Sequence, residues 1–273
     1  MRITNHYNLP EAMLNVMGQF RKPQEKRISV TELVGAPLIR HLRMKHWEEL
    51  EEDASELLWA LLGQSVHYAL EKGTPLDAIQ EERLEAKFGD IVISGQSDLW
   101  HRNIIEDYKV TSTYAFLLGD KPDWERQLNV YGYLWARNGF DVTGLKIRAI
   151  LRDWVKSKSL QDESYPKIPF VTVNIPLWPI EKTEAYIQER IRLHLAEPTE
   201  CTPEEKWTRP TTYAVMKNGA KRASRVLDTQ EEAEKWMGDQ KGFSIVERPG
   251  KDIRCEQYCQ VRAFCPYRRD NND

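Results

Sequence analysis

Ile91-Val92-Ile93-Ser94-Gly95-Gln96-Ser97-Asp98-Leu99-Trp100-His101-Arg102-Asn103-Ile104-Ile105-Glu106-Asp107-Tyr108-Lys109-Val110 is the stretch on which the fold turns. Both of its ends are rich in strand formers, and His101-Arg102-Asn103 between them is turn material. An antiparallel hairpin centred on Arg102-Asn103 pairs Asp98 with Asp107, Trp100 with Ile105 and Gln96 with Lys109. Residues opposed in this way have Cβ atoms about 4.5–5.5 Å apart. Asp107 and Lys109 are two apart and share a face. The hairpin thus presents two carboxylates and an ammonium on one surface. Like charges opposed across a sheet are destabilising, and a divalent cation with hard oxygen ligands is the natural compensation. A structural Asp–Lys pair on a solvated sheet face would use the same residues.

If a metal is held there, the chemistry is that of phosphodiester hydrolysis. A metal polarises the phosphate and lowers the pKa of an attacking water. A cation orients the water or meets the developing negative charge. The flanking segments add to this reading. Residues 47–72 carry a helical pattern through Leu58, Leu61, Leu62, Val66, Ala69 and Leu70. His67 lies on that helix, with Gly63 one turn before it leaving room for close approach. Downstream, Trp124-Glu125-Arg126-Gln127-Leu128-Asn129-Val130-Tyr131 opens another helix, on which Gln127 and Tyr131 face the same way. Taken singly, His67 reads as a hydrogen-bonded helix residue and Gln127 and Tyr131 as helix surface. Their order is more specific: Gly-x-x-x-His on a helix, Gly-x-x-Asp and Asp-x-Lys on strands, Gln-x-x-x-Tyr on a helix.

That order resembles the RecB-like branch of the PD-(D/E)XK nuclease superfamily, which includes AddB-type and CRISPR-adaptation nucleases, with phage-type members among them. The resemblance spans four motifs between Gly63 and Tyr131 and extends to the C-terminal cysteines. It implies an α/β (α+β) restriction-endonuclease-like core, a central mixed sheet flanked by helices. It implies that His67, Asp98 and Asp107 bind Mg²⁺ or Mn²⁺, with the backbone carbonyl of Val110 completing the coordination. Lys109 becomes the catalytic lysine beside Asp98 and Asp107, and Gln127 and Tyr131 position the DNA strand and the lysine region. Where the superfamily has a proline before its first aspartate, this chain has Ser97.

Cysteine use is the second informative feature. Cys255, Cys259 and Cys265 form a C-x3-C-x5-C cluster, and Cys201 stands apart. The N-terminus has no apolar signal region and no run of 18 apolar residues occurs, so a cytoplasmic setting is expected, that of the host for a phage-encoded chain. In such a setting clustered cysteines bind metal more often than they form disulfides. Thiolates suit zinc or an iron–sulfur cluster. The C-terminal spacing resembles that of the iron–sulfur nucleases of the same branch, which implies a [4Fe–4S] cluster. The fourth cysteine of those nucleases precedes the histidine, where this chain has Val30-Thr31-Glu32-Leu33-Val34-Gly35-Ala36-Pro37. Cys201 is therefore expected to be a displaced fourth ligand. Zn²⁺ on the same four thiolates, and a cluster lacking Cys201, remain alternatives.

The chain has 273 residues, 41% of them hydrophobic, with nine tryptophans and a net charge of −3. That is enough for a substantial core, and no global basic field draws in DNA. Local basic stretches occur at Arg21-Lys22, Lys26-Arg27, residues 217–225 and Arg268-Arg269. Each reads as solvated surface, and 217–225 is the best of them for phosphate contacts.

The expected organisation is a nuclease core over 1–200, an insert over 201–254 and a cysteine segment over 255–273. In the core, 1–30 reads as an irregular arm, 31–72 as helical and 78–110 as two or three strands. A helix follows over 123–138, strands over 145–154 and 165–177, and a helix over 180–195. The insert reads ββαβ: a hairpin turning at Asn218-Gly219, a helix capped at Asp228 or Thr229, and a strand over 242–248. A cluster holding Cys201 and Cys255 would close it.

The function classes in view are a metal-dependent single-strand-acting DNA exonuclease or endonuclease of recombination, repair or phage DNA processing, an inactive DNA-binding module of the same fold, and a cluster-bearing assembly protein. The complete His-Asp-Asp-Lys set favours the first. No G-x-x-x-x-G-K-[ST] motif is present, so unwinding would come from a helicase. A recombinase or a single-strand-binding protein would be further partners, and no membrane is implied.

Overall fold

In a computed structural model of the chain, which describes residues 1–18, 20–117 and 121–267, Arg102 and Asn103 have φ of 50° and 63°. Two successive positive φ values make the two-residue turn whose twist matches antiparallel strands. The turn sits where the sequence puts it, and the pairs Trp100–Ile105 and His101–Ile104 flank it. Arg268-Arg269 lie outside the described residues.

The chain forms two compact units, residues 1–198 and 199–273. The first contains β1 (Arg27–Ser29), α1 (Val30–Val34), α2 (Leu58–Glu71), β2 (Ile79–Gln80), β3 (Arg83–Phe88), β4 (Ile91–Gln96), β5 (Leu99–His101), β6 (Ile104–Thr111), α3 (Pro122–Arg137), β7 (Gly144–Leu151), β8 (Phe170–Ile175) and α4 (Ile180–Leu195). A mixed five-stranded sheet has the order β8-β7-β6-β5-β2, and a three-stranded sheet the order β1-β4-β3. Strands β6 and β7 are parallel from Ile104–Gly144 to Thr111–Leu151. A parallel pair needs a crossover, and α3 supplies it. Leu145, Ile147 and Ala149 alternate into the core of the first unit, in one cluster with Leu128, Leu134 and Trp135 of α3, and Leu151 continues the buried row. The unit is thus an α/β fold with a mixed central sheet and packed helices.

Three expectations need correction. Gln96 pairs with Arg83 on β3, not with Lys109. The strand leaves its ladder at Ser97-Asp98 because side chains take over the hydrogen bonding. The buried Ser97 hydroxyl accepts from the Trp135 indole N–H at 2.9 Å, and the Asp98 carboxylate accepts the Tyr108 backbone N–H at 2.5 Å. Second, residues 47–72 are not one helix. A short strand, Glu51–Asp53, pairs in parallel with Arg2–Thr4 before α2 begins. Asp53 fixes it, accepting from Thr4 at 3.0 Å, from the His6 N–H at 2.9 Å and from the Ser55 N–H at 3.1 Å. Residues 1–30 are accordingly more than an irregular arm, with strands at both ends and a helix over Glu11–Val16. Third, residues 78–110 hold five strands rather than two or three.

In the second unit β9 (Thr212–Lys217), β10 (Ala223–Leu227), α5 (Gln230–Met237) and β11 (Phe243–Arg248) give the expected ββαβ order, with the sheet arranged β10-β9-β11. Gly219 takes the positive φ of the hairpin turn, 79°. Thr229 caps α5 in a reciprocal capping box with Glu232. Thr208 and Arg209 pair antiparallel with Asp252 and Lys251. That small ladder draws the two ends of the insert together.

Candidate metal centre and cysteine cluster

Asp98 is held at the break between β4 and β5. One carboxylate oxygen takes the Tyr108 N–H, and the other lies 3.0 Å from His67 Nδ1. Glu81, in the turn between β2 and β3, donates its backbone N–H to the Asp98 carbonyl at 3.2 Å. Its carboxylate accepts from Gln96. The ligand atoms of His67, Glu81 and Asp98 all lie within 4.8 Å of one another. The hydrogen bond to Asp98 raises the pKa of His67 against the opposing effect of burial. One imidazole and two carboxylates are a donor set that Mn²⁺ and Mg²⁺ accept. Glu81 carried no signal in the sequence: Glu81-Glu82 reads as an ordinary solvated pair, and its role depends on contacts formed only in the fold.

Asp107 and Lys109 share the α3 face of β6, and their charged atoms are 2.6 Å apart. Burial pushes the Asp107 carboxyl up, against the pull of Lys109, and the Asp98 charge adds to the rise. Lys109 Nζ also donates to Gln127 Oε1 at 3.5 Å, and Gln127 Nε2 donates to the Tyr131 hydroxyl at 3.1 Å. Burial raises the Tyr131 phenol as well, so it stays neutral and available as a hydrogen-bonding group. Tyr108 points to the opposite face, where its ring meets His67 edge-on at 6.3 Å.

Val110 occupies the next position on β6. Alternate residues of a strand turn their backbone groups to the same edge. Thr111 O bonds towards the β7 side, to the Arg152 N–H, and Tyr108 N–H bonds towards Asp98. The Val110 carbonyl therefore faces the Asp98 edge. The structure thus gathers His67, Asp98, Asp107, Lys109, Gln127 and Tyr131 in one region. Asp107 lies outside the tight group, its carboxylate engaged by Lys109.

The glycine of Gly-x-x-Asp has a steric cause. A Cβ on Gly95 would lie 2.6 Å from Val30, 2.8 Å from Tyr131 and 2.9 Å from Leu134. The absent side chain lets Tyr131 press onto β4.

The four cysteines all belong to the second unit, and none forms a disulfide. Burial pushes the Cys201 thiol up to about 12, with further contributions from Glu205, Cys255 and Cys259. Burial also raises Cys255 and Cys259, and both feel Cys265. Cys201 therefore shares electrostatics with Cys255 and Cys259. Burial and mutual repulsion disfavour free thiolates at these half-buried cysteines. Arg254, Arg262 and Lys206 supply nearby positive charge. Thiolates suit zinc or iron–sulfur, yet among the described residues no three of the four sulfurs lie within 4.8 Å of one another.

No protein-family pattern matches the chain, and no curated protein matches it. Among solved structures it is similar to SSO0001, at 20% identity over 71% of this chain and 85% of that one, with a TM-score of 0.47. It is similar to an alkaline exonuclease (LHK-Exo) from Laribacter hongkongensis, at 9% identity over 61% and 87%, TM-score 0.40. It is also similar to a phage-related exonuclease from Haemophilus somnus 129PT, at 17% identity over 61% and 90%, TM-score 0.37. All three are distant likenesses. No helix among the described residues is long and apolar enough to cross a membrane.

Proposed function

We propose that the chain is a metal-dependent DNA nuclease of the RecB-like PD-(D/E)XK type, acting as an exonuclease on single strands in recombination, repair or phage DNA processing. The observation that carries the reading is Lys109. Its ammonium is held between Asp107 and Gln127, beside the His67–Glu81–Asp98 group. A half-buried lysine tethered on two sides has a restricted position from which to serve a reacting group.

His67, Asp98, Asp107 and the Val110 carbonyl would hold Mg²⁺ or Mn²⁺, with Glu81 as an added ligand. When bound, such an ion supplies polarisation of the phosphate and a lowered pKa for water. Lys109 orients the attacking water and offsets charge on the phosphate. Gln127 holds Lys109 by its carbonyl, and Tyr131 holds Gln127. The water oxygen bonds to phosphorus, the bond to one ester oxygen breaks, and that oxygen leaves as an alcohol once protonated. The test is cleavage of end-labelled single- and double-stranded DNA with Mg²⁺ or Mn²⁺ and with chelator. Asp107→Ala and Lys109→Ala should lose about a hundredfold or more in rate while still binding DNA. Full activity in Asp107→Ala, or activity untouched by chelator, would refute the reading.

We further propose that Cys201, Cys255, Cys259 and Cys265 hold a structural [4Fe–4S] cluster, with the 201–254 insert closed by it. Clipping a loop of more than fifty residues restricts the unfolded chain, and a stabilisation on the order of several kcal/mol is expected. Cys255→Ser should lose visible absorbance and melt at lower temperature. Zinc without iron in anaerobically prepared protein would overturn the assignment.

A further inference from the structure

Helix α2 carries Trp59, Gly63 and His67 at four-residue intervals. The three follow one another along a single, slowly turning ridge. At one end His67 meets Asp98 and the Tyr108 ring. At the other end the Trp59 indole, 63% exposed, lies under the Arg152 guanidinium, 4.0 Å from the ring centroid. Arg152 follows β7, and its backbone N–H bonds to the Thr111 carbonyl at the end of β6 at 2.9 Å. Helix and strand therefore run alongside each other, from His67 by Tyr108 to Trp59 by Thr111. Eight helical residues span about 12 Å, a length of about two nucleotides in an extended strand. Between the two ends Gly63 offers no side chain, and a Cβ there would meet nothing within 4 Å. The path is open.

Core packing does not account for an indole this exposed, and neither Trp59 nor Arg152 belongs to the candidate metal centre. One face of the ring is covered by a cation, and most of the residue is still exposed to solvent. An aromatic face stacks on any base, and an arginine beside it meets the phosphate. The pair also stands on the ridge that leads to His67, so its natural occupant is the strand whose phosphate reaches that residue.

We propose that Trp59 and Arg152 form a nucleotide subsite. Trp59 stacks on the base about two nucleotides from the phosphate at the metal centre, and Arg152 binds the backbone beside it. The subsite rests on the nuclease reading, and it makes a single strand the substrate because a base must be unpaired to stack there. It reads no sequence, since every base has an aromatic face.

The test uses the full chain with Trp59→Ala, Trp59→Phe and Arg152→Gln. Affinity for a labelled oligodeoxythymidylate is measured by anisotropy without divalent cation. Cleavage is measured on the same oligonucleotide and on the p-nitrophenyl ester of thymidine monophosphate. Trp59→Ala and Arg152→Gln should raise Kd and KM for the oligonucleotide about tenfold and leave turnover of the small ester unchanged. Trp59→Phe should stay within about twofold of wild type. An abasic site at the stacked position should weaken wild type by the same factor and Trp59→Ala hardly at all. Unchanged oligonucleotide affinity in Trp59→Ala overturns the subsite. So does equal loss on the small ester, which would make the residue structural, and so does a wild-type dimer that Trp59→Ala dissociates, which would assign the surface to a second copy. A wild type that binds the strand through Trp59 but cuts neither substrate overturns the nuclease reading and leaves the strand-binding surface standing.

Discussion

Gly95→Ala should damage the site through packing alone. The glycine has no positive φ among the described residues, so its backbone accepts alanine. The obstacle is space: the new carbon would sit 2.6 Å from Val30 Cγ2, 2.8 Å from Tyr131 Cε1 and 2.9 Å from Leu134 Cδ1. Carbon atoms are at optimal separation at about 3.5–4.0 Å, so each neighbour must retreat by something near an ångström. Val30 and Leu134 are each 1% exposed and have no free direction. Overpacking of this kind costs about 1–3 kcal/mol, and three simultaneous clashes place it in the upper half. Alanine returns under about 1 kcal/mol by restricting the unfolded chain, leaving a net loss of about 2 kcal/mol. Tyr131 is the neighbour with a functional connection. Its displacement stretches the 3.1 Å bond to Gln127, and the Lys109–Gln127 contact at 3.5 Å is already at its limit. Cleavage per folded molecule should therefore fall as well, by about tenfold. Urea unfolding measures the first effect, and DNA cleavage normalised to folded protein the second. An unfolding midpoint equal to wild type would refute the packing argument. Lost stability with wild-type specific activity would refute the link from Tyr131 to Lys109.

Ser97→Ala removes the acceptor of the buried Trp135 indole N–H and should cost about 1–3 kcal/mol in urea unfolding; a change below about 0.5 kcal/mol would show that another acceptor serves the indole. Glu81→Gln should weaken Mn²⁺ binding about tenfold by calorimetric titration, and unchanged affinity would remove Glu81 from the site. His194, whose Nε2 lies 3.1 Å from the Leu33 carbonyl, is driven down to about 4 mainly by burial. Its folded pKa lies below the unfolded one, so its contribution is complete above about pH 6.5 and is lost as pH falls towards 4. The loss should be about 2 kcal/mol after allowing for partial solvent access. His194→Gln should flatten that part of the pH dependence, and parallel curves for variant and wild type would contradict it.

What the sequence made legible is what local physics decides. The alternation through Leu145, Ile147, Ala149 and Leu151, the helix over Ile180–Leu195 and the turn at Arg102-Asn103 each follow from periodicity or backbone preference within a few residues. The strand Glu51–Asp53 was hidden because its partner, Arg2–Thr4, is remote and its anchor is one side chain, Asp53. Glu81 was hidden for the same kind of reason, as its neighbours arrive from α2 and from the β4–β5 break. The break itself explains how the site is made. Had β5 extended its ladder with β6 back through Ser97, the Tyr108 N–H would have met a backbone carbonyl, and Asp98 would have stood opposite Asp107 with no donor of its own. Because the chain departs at Ser97, the Asp98 carboxylate occupies the place of a strand: one oxygen takes the vacated N–H and the other turns to His67. Among the described residues, no strand pairs with that edge of β6 at Val110. A sheet that stops pairing where its carboxylates converge gives up a few backbone hydrogen bonds and gains an edge on which a cation and a phosphate can be met by fixed oxygen atoms.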